Sequence, residues 1–286
     1  MYKLLKANFF RLVKNKIFWG IVIITILIAS FILLNTILNH QGEIKAGIDN
    51  ILIMYINFIG IFIAMFTSLF VGTEYSDGAL RNKIVIGHSR KHIYFANMMT
   101  SIVVGICIEL IYILIITIVG IPTLGTLQMS TEKFLFIVLD IIFIIIAYAS
   151  IFTCVTLLCS DITVSTVACI ILVLVMLVVS MALSSTANAT KYYETYSQNE
   201  NGEIEVYQEP NPDYPGDFKK SVAKTILYCI PTGQASQIVS QVNKQPFQMI
   251  DYMSDNELKI AFLYSLGMTV CITGIGVYCF KRKDLK

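Results

Sequence analysis

Apolar residues run without a polar face through six stretches of the chain, at 17–38, 51–71, 98–121, 134–158, 162–183 and 260–280. A helix needs roughly 20 largely apolar residues to cross a bilayer, and a soluble helix buried in a protein core seldom stays apolar all round for so many turns. The pattern therefore predicts six transmembrane helices. The first stretch is too long for a signal peptide and no small-residue cleavage site follows it, so it is read as a retained span. Only two acids fall inside the spans: Glu109 in the third and Asp140 in the fourth.

Composition agrees with the pattern. Of 286 residues, 56% are apolar and 14% charged, and the mean hydropathy is +0.72, which excludes an ordinary soluble domain. The fold class is an all-α integral membrane protein forming a single transmembrane domain over 1–286. The basic residues then set its orientation. Lys3, Lys6, Arg11, Lys14 and Lys16 precede the first span, Arg81, Lys83, Arg90 and Lys91 lie between the second and third, and Lys281, Arg282, Lys283 and Lys286 follow the last. With six spans all three groups fall on one side, which places both termini in the cytoplasm. The slightly basic balance is thus a topological signal and does not call for nucleic acid as a partner.

The opposite face is predicted to carry the link at 39–50, the turn at 122–131 and a long segment at 184–259. The first part of that segment is acidic, with Glu194, Glu200, Glu203, Glu205, Glu209, Asp213 and Asp217, and it is tyrosine-rich, so it reads as a surface loop or small hairpin. The second part, 222–253, is amphipathic through Ile226, Leu227, Ile230, Ile238, Phe247 and Ile250, as two short helices at the outer surface or partly re-entrant would be. Of the seven cysteines only Cys229 is placed as an exposed outer thiol, which leaves it no partner for a disulfide within the chain.

Two cytoplasmic segments carry more pattern than a connector needs. Residues 1–16 intersperse Leu4, Leu5, Ala7, Phe9, Leu12 and Val13 with lysines, which fits a helix lying in the headgroup layer against membrane lipid; a helical extension of the first span is the alternative. The loop at 72–97 predicts a short charged helix through residues 78–83. Ser76 or Asp77 caps it, Gly87 ends it and Ser89 starts the next helix.

Catalytic signatures are missing. There is no phosphate-binding loop ending in Lys-Ser/Thr, no His-Glu-x-x-His and no Gly-x-Ser-x-Gly, so the chain is not expected to hydrolyse ATP or to bind a cofactor or metal. Glu109 and Asp140 remain, since a carboxylate at mid-bilayer costs at least ~2.5 kcal/mol. They line a polar path across the membrane, or they bond to nearby hydroxyls and help helices pack. Gly267, Gly274 and Gly276 are read as sites of close helix contact.

The start MYKLLKANFFRLVKNKIFW, the loop Glu74-Tyr75-Ser76-Asp77-Gly78-Ala79-Leu80-Arg81-Asn82 with Gly87-His88-Ser89-Arg90, the outer Pro231-Thr232-Gly233-Gln234-Ala235 and the basic end together resemble the permease subunits of type-2 ABC exporters, the family of bacterial drug, bacteriocin and antimicrobial-peptide exporters. The resemblance covers nearly the whole chain. It implies an elbow helix at 1–16 and a coupling helix in the loop at 72–97, with Glu74, Asp77, Gly78, Arg81 and Arg90 in the coupling region. It also implies separate ABC ATPase subunits that hold ATP and Mg, a second permease copy or a homologous permease, and a place in the bacterial cell membrane. The residues alone leave two other readings open: an ion-coupled secondary transporter using Glu109 and Asp140, or a peptide sensor or immunity protein that transports nothing. The acidic outer face would suit a cationic amphipathic peptide.

Overall fold

A computed structural model describes residues 1–39, 48–159, 161–198, 204–242 and 255–284, with side chains described for all but the hairpin and helix ends nearest the gaps. Among the described residues six helices are long and apolar enough to cross a membrane: Lys16–Asn39, Asp49–Ser76, Arg90–Leu124, Thr131–Leu158, Ile162–Ala187 and Lys259–Arg282. The all-α membrane fold class holds.

Helix α1 (Tyr2–Val13) buries Leu4, Asn8 and Leu12 on one face. It is a separate helix and not an extension of the first span. The chain breaks at Lys14 and Asn15, where the Asn15 Oδ1 accepts bonds from the backbone N–H groups of Ile17 (2.8 Å) and Phe18 (3.2 Å) and so caps α2 (Lys16–Asn39). The Trp19 indole N–H reaches back to the Val13 carbonyl (2.8 Å) and supplies one of the donors that the end of α1 lacks.

The second span is made of α3 (Asp49–Met54) and α4 (Ile56–Ser76). A two-residue turn around Gly78 leads to α5 (Ala79–Val85), and Ser89, whose side chain accepts from the His92 N–H, starts α6 (Arg90–Ile115). This helix begins two turns before the apolar stretch does, because Ser89 caps it there and its first residues, Arg90 to His92, are polar. A π-turn at Ile116–Gly120 and the short α7 (Ile121–Leu124) complete the third span. Helices α8 (Thr131–Leu158) and α9 (Ile162–Ala187) follow, the latter capped by Asp161, whose Oδ1 accepts from the N–H groups of Thr163 (2.7 Å) and Val164 (3.1 Å).

Beyond α9 the chain forms an antiparallel hairpin of β1 (Tyr192–Gln198) and β2 (Ile204–Pro210), in register from Tyr192 opposite Pro210 to Gln198 opposite Ile204. Helices α10 (Asp217–Tyr228) and α11 (Pro231–Val242) come next, and α12 (Asp255–Arg282) closes the fold. The acidic positions Glu200 and Glu203, the side chains of Glu194 and Glu205, and Phe247, Ile250 and Lys286 lie outside the described residues and side chains.

α11 does not rest on the surface: Pro231 to Ala235, Gln237 and Ile238 are buried, and the helix packs against α3, α4, α8 and α9. The Pro-Thr-Gly-Gln-Ala motif explains this. Thr232 donates to the Met176 carbonyl (2.9 Å) and bonds Ser180 (2.7 Å) on α9. The side chain of Gln234 donates to the Tyr228 carbonyl (2.6 Å) and accepts from Ser265 on α12 (2.5 Å). Gly233 lies against the backbone of Leu227, where a Cβ would collide.

The core runs through the middle of the bundle and is rich in aromatics: Tyr55 stacks on Tyr112 at 4.4 Å and Phe66 on Phe70 at 4.9 Å. Close helix contact is made at Gly276, where a Cβ would run into the Tyr94 ring. Gly267 and Gly274, expected to serve the same purpose, face open space instead. All seven cysteines are free thiols.

Candidate functional site

At the end of the bundle that holds both termini, four elements meet on one carboxylate. Glu74 sits in the last turn of α4 and is fully buried. Its Oε1 accepts from Arg11 of α1 (2.7 Å) and from Lys83 of α5 (2.5 Å), and its Oε2 accepts from Asn97 of α6 (3.2 Å). The relay continues behind it. The Asn8 amide of α1 donates to Asn97 Oδ1 (2.8 Å) and to Thr100 (3.3 Å), and Lys83 also reaches Asn8 Oδ1 (3.4 Å). Arg11 lies 3.7 Å above the Phe70 ring and donates to the Phe70 carbonyl as well. A buried carboxylate is tolerated because two cations and an amide share its charge.

This cluster fixes α5 to the bundle by its inner face. Leu80 is buried and Lys83 points inward to Glu74, whereas Arg81, Val85 and Ile86 point away from the bundle, the last two 78% and 77% exposed. The expected cap is different from the one found. Ser76 is the last residue of α4 and Asp77 its C-cap, so neither caps α5. Instead Gly78, at φ +66°, turns the chain from one helix into the next, and Gly87, at φ +97°, ends α5. Both are left-handed conformations that a side chain would strain.

Arg90 is not part of this hub. Its guanidinium donates to the carbonyls of Phe280 (2.9 Å), Lys281 (3.1 Å) and Lys283, satisfying acceptors at the end of α12. Lys283 makes the matching contact in the other direction, to Cys159 O (2.8 Å), Leu157 O (3.1 Å) and Tyr75 OH (3.1 Å). Partial burial pulls its ammonium below the ordinary lysine range. The five residues expected in one coupling region thus divide. Glu74 is the hub, Gly78 the turn, and Asp77 and Arg81 are exposed, while Arg90 locks the last helix. In the sequence Arg11 and Lys283 read only as basic flanks and Lys83 as a charge on the short helix at 78–83; Asn8 and Asn97 are additional to the expected set.

The two acids within the spans are level but apart. Gly105 of α6 packs against Ile145 of α8, and Glu109 and Asp140 lie four and five residues outward of that contact, so their heights differ by about 1.5 Å. Glu109 shares a helix face with Tyr112, which is covered by Tyr55 and donates to the Ile51 carbonyl (2.5 Å). Asp140 faces the other way, into a cavity of about 430 Å³ between α8 and α12 lined by Phe136, Phe143, Lys259, Phe262 and Leu263. Both carboxyls are buried, and neither Glu109 oxygen nor Asp140 Oδ2 has a hydrogen-bond partner among the described residues. Within this chain Asp140 borders the α8–α12 cavity, and Glu109 does not. No cluster of three or more potential metal ligands occurs among the described residues.

Comparison with known proteins adds one finding. Residues 2–285 match the family described as ABC-2 family transporter protein. No curated protein matches the chain.

Proposed function

Because the chain belongs to the ABC-2 transporter family, we propose that it is the permease subunit of an ATP-driven exporter, paired with a second permease and driven by separate ATPase subunits through α5. The observation that carries this reading is the two-sided construction of α5. Its inner face is bonded through Lys83 to a hub shared by α1, α4 and α6, and its outer face presents Arg81, Val85 and Ile86.

A docking helix must be rigid toward the bundle to transmit displacement, and apolar with a charge outward to be gripped. The buried salt bridge meets the first need and the exposed tip the second. ATP and Mg belong to the partner, whose closure would push α5 and, through Glu74, the second and third spans and the elbow helix α1 together.

The basic residues collect at the end where α5 projects, which supports a cytoplasmic location for that end and for both termini, in what we take to be a bacterial cell membrane. An amphipathic peptide or drug is the expected cargo, released on the side of the hairpin and α10. The test is docking. The complex with the ATPase subunit is expected to survive purification for the wild type and to be lost for the double substitution Val85→Asp, Ile86→Asp, with the permease still folded. A complex of undiminished yield would refute α5 as the contact.

A further inference from the structure

We propose that the cavity between α8 and α12 is a binding site for an alkylammonium group, the protonated amine of a membrane-borne amphiphile, with Asp140 as its counter-ion. The geometry points there from three sides. Asp140 is 95% withdrawn from solvent (5% exposed), and its Oδ2 has no hydrogen-bond partner among the described residues. A carboxylate so placed in an apolar wall is costly unless a cation or proton meets it.

The wall around it is aromatic. Phe136 and Phe143 lie one turn to either side of Asp140 on the same face of α8, and Phe262 of α12 meets Phe143 edge-on at 4.4 Å. Ring faces attract a cation and ring edges pack against alkyl chain, so the same surface receives the head and the first methylenes. About 430 Å³ is enough for a small headgroup and part of a tail.

Among the described residues nothing neutralises the acid. Lys259 is the one cation on the cavity wall, yet it is exposed and forms no ion pair with Asp140. Its position is near the outer end of α12, where it would repel a second cation and attract a phosphate or carboxylate on the same ligand. Access is lateral, because Phe136, Leu139 and Leu263 border the cavity and are themselves about half exposed or more on spanning helices, where lipid chains lie. Glu109, equally buried at about the same height, does not line this cavity and serves as the internal control.

The site is independent of the docking argument and of whether the ligand is exported. The test uses the full chain in phosphatidylcholine vesicles and dodecylamine carrying a photoactivatable diazirine in its tail, with the matching dodecanol as the uncharged probe. The amine is expected to label peptides containing 136–143 and 262–263 at least tenfold more than the alcohol does. Asp140→Asn should abolish that preference, whereas Asp140→Glu and Glu109→Gln should keep it. Competition by phosphatidylethanolamine would identify a lipid headgroup as the occupant, and competition by soluble dodecylamine alone would identify an added amphiphile; either supports the site. Equal labelling by amine and alcohol, or an undiminished preference in a folded Asp140→Asn chain, would overturn it.

Discussion

Removing the Glu74 carboxylate should loosen four helices at once. In Glu74→Ala, Arg11, Lys83 and Asn97 lose a common acceptor, and breaking a buried pair from one side costs about 3–5 kcal/mol. Arg11 is 35% exposed and recovers part of its loss from water, whereas the Lys83 side chain, 18% exposed, recovers less. The expected cost is therefore at the lower end, about 3 kcal/mol, and about 2 kcal/mol for Glu74→Gln, which keeps the shape and an acceptor.

The thermal midpoint of the purified chain should fall by about 6–12 °C for the alanine variant, taking about 2–4 °C per kcal/mol for a chain of this size. A double-mutant cycle isolates the pair: Lys83→Met combined with Glu74→Gln should cost less than the two added together, by about 1–2 kcal/mol. A midpoint for Glu74→Ala within about 1 °C of wild type, or strict additivity in the cycle, would refute the hub.

Two further consequences concern the last helix. Arg90→Met strips the end of α12 of its donors and should cost about 1.5–3 kcal/mol, with faster amide hydrogen exchange from residue 277 to 283; unchanged exchange there would speak against the lock. Gly276→Ala should destabilise the chain because its Cβ meets the Tyr94 ring and hydroxyl, and it should cost much less in a Tyr94→Ala background, where both are gone. A loss equal in both backgrounds would mean that the clash is not the cause.

The spans were legible because a bilayer imposes length and composition on a helix and leaves little else to interpret. The boundaries were less so: α6 starts at Arg90, where Ser89 caps it, whereas hydropathy only begins to rise near residue 98. The loop at 72–97 revealed a short helix but misplaced its cap, since a polar residue before a glycine can end one helix as readily as begin another.

What the sequence hid is pairing over distance. Asn8 lies midway between Leu4 and Leu12 on the buried stripe of α1, and an amide on an apolar face was the available sign that a polar partner waits there. Its partner Asn97, 89 residues away, gave no such sign. The two buried acids were found, but not their facing, because hydropathy reports depth along a helix and nothing about rotation around it. Only the packing of Gly105 on Ile145 and of Phe143 on Phe262 sends them to opposite sides.

The central claim is that ATP hydrolysis by a partner drives this chain through α5. The most direct measurement is cargo transport in proteoliposomes containing the permease and its ATPase subunit, comparing the wild type with Arg81→Glu and Gly78→Ala. In the wild type transport should require both the ATPase subunit and ATP, and both variants should hydrolyse ATP without matching transport. Transport by the permease alone that collapses with the ion gradient, or full coupling in both variants, would contradict it.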